Sequence, residues 1–343
     1  MARVIEDRQA LTEKAEKILT AIGVTPEDAA KTIDVLVDAD MRGIESHGLV
    51  RLKLYVEHIV KGSVKPQSAI KVIKNGATAL VDGDNGLGQV VTMKAMDTVL
   101  ELAKQYGVGC VAVRNSNHFG PAGYYTRKMA QQGYVGFITS MAGPSVAPFG
   151  GLDKLLGTNP FSIAFPAEKQ VFCADMATSA AAKGKIRIYG MKGESIPLGW
   201  ALDKDGNDTT DPQEGVKGIL LPMAGHKGYC IAMAVDALSS LLSGAFLSYE
   251  SSAVSNLDIT RPANTGHFLA AVDISRFLPL DQFEKRAQVW FDKIKASTPR
   301  NGATIMIPGE PEDFKMAETG DDKVSLLQAT ADMVDAYYKK YAG

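Results

Sequence analysis

The sequence is poor in cysteine, balanced in charge and without a strongly basic or acidic character. Its 343 residues include only three cysteines, Cys110, Cys173 and Cys230, and none forms a Cys-x-x-Cys pair. We therefore expect buried thiols in a reducing compartment rather than a disulfide framework. Lys and Arg number 37 against 39 Asp and Glu, which lacks the basic excess expected of a nucleic-acid-binding protein. The N-terminus carries no apolar signal region, so we expect a cytoplasmic protein.

Several signatures of common sites are also missing. The sequence contains no Gly-x-Gly-x-x-Gly fingerprint, no P-loop and no His-Glu-x-x-His, which argues against a standard Rossmann domain, a P-loop NTPase and a zinc protease. Asp82, Asp84 and Asp205 lie in glycine-rich turns and are interpreted as solvated acids, so no metal is predicted. The most apolar stretch, residues 229–247, contains Asp236 and several serines. It is interpreted as a buried helix, and no membrane partner is expected.

Periodicity and turn residues predict a mixture of helices and strands. Thr25-Pro26-Glu27-Asp28 is a typical helix start, and a second helix is expected from Ser46 to Gly62. The remaining predicted helices cover 89–106, 121–132, 227–243, 281–296 and 324–341. The predicted strands cover 70–73, 78–81, 108–113, 135–139, 161–165, 171–174 and 267–274. Since strands do not alternate regularly with helices, the pattern predicts the α+β class, and the length suggests about two domains.

Histidine is scarce, with five in the chain, and the segment from Ser46 to Arg51 is the most suggestive. If Ser46 caps a helix, His47 lies in its first turn, where the positive helix end keeps the imidazole neutral and able to accept a proton. Arg51 would share that face and could bind a carboxylate with two hydrogen bonds. This combination suits a 2-hydroxy acid dehydrogenase. Spacing alone equally permits a serine cap followed by a solvated arginine.

A second candidate segment is Gly225-His226-Lys227-Gly228, which precedes the predicted apolar helix. Free backbone N–H groups at a helix start attract phosphate, and Lys227 adds a positive charge. The flanking glycines would let a pyrophosphate approach closely. A plain glycine-rich turn is the alternative interpretation.

Taken together, these segments resemble the type 2 malate/L-lactate dehydrogenase family along essentially the whole chain. This family is distinct from the Rossmann lactate and malate dehydrogenases. The motifs that carry the resemblance are 38–48 (DADMRGIESHG), 82–89 (DGDNGLGQ), 115–120 (NSNHFG), 157–160 (GTNP), 175–179 (DMATS), 225–228 (GHKG) and 307–310 (IPGE).

The resemblance implies a non-Rossmann α+β fold with a mixed-sheet nucleotide domain and helical N- and C-terminal parts. It assigns residues 1–118 with 300–343 to a helical part for substrate binding and dimerisation, and residues 119–299 to an NAD(P)-binding domain. It also implies NAD or NADP as cofactor, a small 2-oxo or 2-hydroxy acid as substrate, and a homodimer.

The resemblance also assigns roles to individual residues. Catalysis falls to Ser46, His47 and His118. Substrate binding falls to Arg51, Thr158, Lys183 and Gly184. Cofactor binding falls to Asp175, Met176, Ala177, His226, Lys227, Pro308, Gly309 and Glu310.

The expected reaction reduces a 2-oxo acid at C2. Arg51 would fix the C1 carboxylate while His47, oriented by Ser46, donates the proton to the developing alkoxide. His118 matches a histidine assigned as proton acceptor in some branches, and it would either polarise the same oxygen or take over the proton transfer. Which histidine does so stays open, with His47 preferred.

The substrate is the least determined part of the prediction. Malate or lactate is expected first and sulfolactate next. A cyclic imino acid reductase, a ureidoglycolate dehydrogenase and a non-catalytic binding protein are the alternatives. The imino acid branch of the family looks to carry an acid where this sequence has Lys185, which favours a hydroxy acid. A lysine there would also suit a second anionic group if it points into the site.

Overall fold

The structure is a computed structural model that describes residues 2–251 and 259–343. Its strands are β1 (Arg3–Asp7), β2 (Lys71–Asn75), β3 (Thr78–Asp82), β4 (Val108–Ser116), β5 (Tyr134–Ser140), β6 (Phe161–Pro166), β7 (Val171–Met176), β8 (Ala201–Leu202), β9 (Ile219–Leu220), β10 (Thr265–Asp273) and β11 (Lys323–Leu327). Its α-helices are α1 (Arg8–Ala21), α2 (Pro26–Met41), α3 (Leu52–Val60), α4 (Gly88–Tyr106), α5 (Ala122–Ala130), α6 (Lys183–Lys192), α7 (Pro212–Lys217), α8 (His226–Asp236), α9 (Leu280–Lys295), α10 (Glu310–Thr319) and α11 (Gln328–Tyr341).

A seven-stranded mixed sheet forms the centre of the molecule, in the order β2-β3-β4-β10-β5-β6-β7. Only β3 and β4 run parallel; the other neighbours are antiparallel. The parallel pair needs a crossover, which α4 supplies, whereas β2 and β3 are joined by a tight turn at Asn75-Gly76. The α+β class is confirmed, and strands from both sides of residue 118 share this one sheet.

The helical part builds a separate hydrophobic core from both ends of the chain. β1 pairs with β11 in an antiparallel two-stranded sheet that joins Arg3 to Leu327. The apolar faces of α1, α2 and α3 pack with Val324, Leu326 and Val334. Residues from the far C-terminal segment are therefore needed to close the core of the first 60 residues.

Local signals placed several elements correctly. The Thr25 hydroxyl accepts from the Asp28 N–H at 3.2 Å and caps α2. Gly107 ends α4 in the left-handed conformation, with φ of 85°, which a glycine adopts without steric cost. The predicted strands in the central sheet are all present.

Other expectations are wrong. Residues 323–327 form a strand, so the last helix starts only at Gln328. The apolar stretch after Gly228 is not fully buried: Met233, Leu241 and Leu242 are 51%, 66% and 60% exposed. It continues α8 through a π-helical segment, Ala237–Leu241. None of the helices within the described residues is long and apolar enough to cross a membrane.

Candidate active site

The predicted helix start at Ser46 is instead a pair of short 3₁₀ turns, Glu45–His47 and Leu49–Arg51. The carboxylate of Asp40 explains this departure, because it accepts the Leu49 N–H at 2.7 Å. Asp40 also fills the space beside Gly48, where a Cβ would lie 2.0 Å from a carboxylate oxygen. The Asp40 side chain at the end of α2 thus holds the turn in place, and α3 begins only at Leu52.

The turn brings Ser46, His47 and Arg51 together. Ser46 Oγ lies 2.8 Å from His47 Nδ1, and Arg51 Nε donates to the Ser46 carbonyl at 2.6 Å. One hydrogen bond therefore orients the imidazole while another fixes the guanidinium beside it. The remaining Arg51 nitrogens are the groups that a carboxylate could bind.

His118 joins this cluster from the other side. It follows β4, and its ring stacks on His47 with centroids 5.4 Å apart. The first residue of α4 packs on the backbone of His118, since a Cβ at Gly88 would lie 2.3 Å from the His118 carbonyl oxygen. This close approach explains the last glycine of the 82–89 motif. It also places the first turn of α4 beside His118.

Two residues that the sequence analysis did not single out complete the cluster. The Tyr55 hydroxyl lies 2.7 Å from His118 Nδ1, and Gln89 Nε2 donates to that hydroxyl at 2.8 Å. Both side chains are buried. A signal for Tyr55 was present, because it follows Arg51 by four residues and so lies on the same face of α3.

Both histidines are held neutral. Burial, followed by the charge of Arg51, lowers the pKa of His47 to about 4. Burial and the charge of Arg51 also lower the pKa of His118 far below its usual range, with smaller effects from His47 and His267. The neutral state expected of His47 is thus present, but its cause is burial beside a guanidinium rather than a helix end.

Lys183 and Gly184 begin α6, and a Cβ at Gly184 would lie 4.0 Å from Ser46 Cβ. Burial lowers the pKa of the Lys183 ammonium, and the nearby charges of Lys154 and Arg187 lower it further. Lys185 points elsewhere: its ammonium stands 4.9 Å from the centre of the Trp200 ring. Gly184, which follows Lys183 in the chain, is therefore the position of α6 that lies against the candidate catalytic turn.

The expected cofactor residues Asp175 and Met176 lie on the edge strand β7. Asp175 accepts the Gly123 N–H at the start of α5 at 2.7 Å, and burial raises its pKa to about 6. The Pro308-Gly309 turn covers the same strand, with the Pro308 carbonyl accepting the Cys173 N–H at 2.9 Å. Gly309 has φ of 103°, and a Cβ there would lie 3.1 Å from the Val171 carbonyl oxygen.

Glu310 and Thr158 support this region through local bonds. Glu310 accepts from Lys295 at 2.6 Å and from the Ile307 N–H at 2.8 Å, so its carboxylate braces the loop. The Thr158 carbonyl accepts both the N–H and the hydroxyl of Thr178. Thr158 is thereby fixed to the segment that contains Ala177.

His226 and Lys227 form the first turn of α8, and both side chains are exposed. The preceding segment is tied to the chain after β7, because the Met223 N–H donates to the Thr178 carbonyl at 2.8 Å. No side chain caps α8, and its N-cap is Gly225. An uncapped helix start beside a free lysine fits the pyrophosphate of a dinucleotide.

The candidate residues therefore fall into two sets. Ser46, His47, Arg51, His118 and Gly184 form one cluster. The expected cofactor residues of the second set lie on β7, in the segment directly after it and at the start of α8. Within residues 2–251 and 259–343, no group of three or more His, Cys, Asp or Glu side chains is arranged to hold a metal ion.

Comparisons with known proteins find several similar dehydrogenases. The chain is 42% identical over 304 residues to malate dehydrogenase of Pyrococcus horikoshii, covering 86% of this chain and 83% of that protein. It is 42% identical over 297 residues to L-sulfolactate dehydrogenase of Methanocaldococcus jannaschii, covering 86% of each. It is also 32% identical to the NAD⁺-dependent ureidoglycolate dehydrogenase of Escherichia coli, covering 93% of this chain and 92% of that one.

The solved structures give the same result. The sulfolactate dehydrogenase structure from Methanocaldococcus jannaschii superimposes with a TM-score of 0.93 at 37% identity, covering 98% of this chain and 97% of that one. The family model described as malate/L-lactate dehydrogenase matches residues 7–334. Sequence, fold and family model thus agree over nearly the entire chain, and the protein belongs to the malate/L-lactate dehydrogenase family.

Proposed function

We propose that this protein is an NAD(P)-dependent dehydrogenase that interconverts a small 2-hydroxy acid and its 2-oxo acid. The observation that carries the proposal is a single arginine, Arg51, beside two neutral histidines, His47 and His118. A carboxylate clamp beside a proton-transferring group is what this reaction needs. The nicotinamide supplies the hydride exchanged at C2 when the cofactor is bound.

In the proposed mechanism, Arg51 binds the C1 carboxylate and places C2 and its oxygen near the histidines. The bound anion offsets the charge of Arg51, so the pKa of a neighbouring histidine rises and that histidine is protonated in the complex. It can then donate its proton to the oxygen at C2 during reduction and accept it during oxidation. The hydrogen-bonded chain behind His118 favours this residue as the donor, and His47 is the alternative preferred from sequence.

We propose a substrate with a second anionic group, as in malate, with sulfolactate next and lactate after it. The support is the half-buried Lys183, which precedes Gly184 in the chain and is affected by the charges of Lys154 and Arg187, while the Gly184 position lies against Ser46. Concentrated positive charge favours a second carboxylate or sulfonate. Lys185 does not supply this charge, because it rests on Trp200.

The cofactor would be held by the start of α8 and the edge of β7. His226 and Lys227 are proposed to bind the pyrophosphate. Asp175, Met176, Ala177 and the Pro308–Glu310 loop are proposed to line the remaining part of the site. We also propose that the protein is cytoplasmic. A homodimer is proposed as well, and its support is the exposed apolar side chains of Met233, Leu241 and Leu242.

The test is a panel of oxaloacetate, pyruvate, sulfopyruvate, a ureidoglycolate substrate and a cyclic imino acid, each with NADH and NADPH or the oxidised cofactor. We expect turnover of oxaloacetate above that of pyruvate, without added metal. Turnover of the imino acid alone would instead support an imine reductase. Cofactor binding without turnover of any compound would support a non-catalytic binding protein.

A further inference from the structure

Gln89 is a buried part of the site that the reaction above leaves unused. It lies in the first turn of α4, at the end of the glycine-rich motif 82–89, and is 0% exposed. Its Nε2 donates to the Tyr55 hydroxyl, but its Oε1 is buried without a hydrogen-bond partner among the described residues. A buried amide oxygen without a partner costs free energy. Among the described residues, the hydrogen bond to the Tyr55 hydroxyl is therefore the contact that sets which end of the Gln89 amide faces Tyr55.

The hydrogen bonds from Gln89 run through Tyr55 to His118. Tyr55 accepts from Gln89, which leaves its own hydrogen to donate to His118 Nδ1, and the Gly120 N–H also points at that nitrogen at 3.4 Å. A neutral imidazole that accepts at Nδ1 carries its hydrogen on Nε2. This tautomer can polarise a carbonyl oxygen, but it has no lone pair at Nε2 to take a hydroxyl proton.

Proton transfer at His118 Nε2 requires that the hydrogen bonds between His118, Tyr55 and Gln89 be donated in the opposite direction. Nδ1 must then carry hydrogen throughout the step and donate it to the Tyr55 oxygen. The Tyr55 hydroxyl must in turn donate to another acceptor. A half-turn of the Gln89 amide presents Oε1 to that hydroxyl and supplies the acceptor.

We propose that Gln89 is a positioning residue for proton transfer, because its turned amide presents Oε1 to the Tyr55 hydroxyl and so keeps the hydrogen of neutral His118 on Nδ1 throughout the reaction. In oxidation, the O–H bond of the hydroxy acid breaks and an N–H bond forms at His118 Nε2, while the hydride leaves C2 for the oxidised nicotinamide. His118 then holds the positive charge, and reduction is the reverse. Gln89 and Tyr55 gain and lose no proton. The inference rests on the proposed function.

Two variants of Gln89 separate this role from packing. Gln89→Met keeps the volume and removes both polar ends, so kcat should fall by about tenfold or more in both directions. KM and the NADH dissociation constant should stay within about threefold, since binding contacts are unchanged. The solvent deuterium isotope effect on kcat should increase, because the proton transfer becomes slower.

Gln89→Glu restores an acceptor of similar shape. It should recover most of the lost kcat and move the pH dependence of reduction to higher pH, because a carboxylate behind Tyr55 stabilises a protonated His118. The other charged or titratable groups facing His118 are Arg51, His47 and His267, and they are the same in both variants. Gln288, a buried glutamine on α9, gives the control Gln288→Met, which should change none of these quantities.

Several results would overturn the inference. Equal losses in both variants, with the isotope effect and pH dependence unchanged, would mean that Gln89 only packs. An unaltered kcat in Gln89→Met would have the same meaning. Nitrogen-15 NMR of the His118 ring in the complex with oxamate, an unreactive 2-oxo acid analogue, needs no turnover. It should show hydrogen on Nδ1 in the wild type and a different state in Gln89→Met, so failure of the inference is distinguishable from failure of the proposed function.

Discussion

His47 and His118 have similar surroundings but differ in the hydrogen-bond partners of their Nδ1 atoms. His47 is backed by a serine hydroxyl that can donate or accept, whereas His118 is backed by a buried tyrosine and glutamine. His118→Ala should therefore lower turnover by about two to four orders of magnitude, the usual size of a general acid–base effect. Fluorescence titration should show unchanged NADH affinity. If His47→Ala is the inactive variant and His118→Ala keeps near-normal turnover, the roles are reversed.

The neutral state of the histidines predicts a pH dependence of substrate binding. The free protein holds the pKa of His47 at about 4, through burial and Arg51. A carboxylate on Arg51 raises the pKa of a histidine in the complex, so binding takes up a proton between the two pKa values. The dissociation constant of oxamate should decrease as pH falls through that window, by at most about tenfold per pH unit for one proton. It should be constant above the window.

Calorimetry in two buffers of different ionisation enthalpy measures this proton uptake directly. Binding that takes up no proton at any pH from neutral to mildly acid would contradict the proposed coupling. Arg51→Met removes the charge that lowers the histidine pKa. The remaining pH dependence in this variant should be weaker, although the affinity for oxamate is also expected to fall.

At the scale of elements, the start of α8 is the proposed phosphate seat. Lys227→Ala should raise the NAD(P)H dissociation constant, at a cost of about 1–3 kcal/mol if a hydrogen bond from a charged group is lost. The melting temperature without cofactor should barely change, because the Lys227 side chain is exposed. Lys217, an exposed lysine at the end of α7, provides the control Lys217→Ala. A fall in stability with unaltered cofactor affinity would place the phosphate elsewhere.

Elements with complete local signals could be predicted from sequence, and those that depend on distant partners could not. Thr25 with Pro26 and the Asn75-Gly76 turn mark their elements through neighbouring residues alone. The turn at Ser46 is different, because the Leu49 N–H donates to the Asp40 carboxylate and no α-helix begins at Ser46. Likewise, Lys323–Leu327 is a strand only because β1 lies beside it.

The candidate site shows the same division. Ser46, His47, Arg51 and His118 could be selected from motifs, and the structure brings them together. Tyr55 and Gln89 were missed, since Tyr55 lies among apolar residues at helical spacing and Gln89 only ends the 82–89 motif. Only folding brings the Gln89 amide at the start of α4 next to the Tyr55 hydroxyl on α3.

At the scale of the whole molecule, the surface after α8 is the strongest sign of an oligomer. Leu241 and Leu242 are exposed next to each other at the end of the π-helical segment, and contiguous apolar surface of this kind marks interaction sites. Light scattering should give about twice the chain mass of 36.6 kDa. Leu241→Asp with Leu242→Asp should shift the protein to the monomer. A dimer that persists in this variant would place the interface on another surface.

The division into residues 1–118 with 300–343 and residues 119–299 stays a prediction. The core of α1, α2 and α3 does include Val324, Leu326 and Val334. However, β2, β3 and β4 share their sheet with β5, β6, β7 and β10. Limited proteolysis locates the boundary between two domains. We expect cleavage in a segment that belongs to neither hydrophobic core.

The pairing of β1 with β11 also determines when the protein can become active during its synthesis. Arg3 of β1 bonds to Ser325 on β11 and forms an ion pair with Glu45 on the turn that carries His47. Until residues 323–327 leave the ribosome, β1 has no strand beside it, and that turn lacks this support. A chain released before this point would contain every proposed catalytic residue in its sequence. It would nevertheless expose an open apolar core to chaperones and proteases, so synthesis has to pass this segment before an active site is assembled.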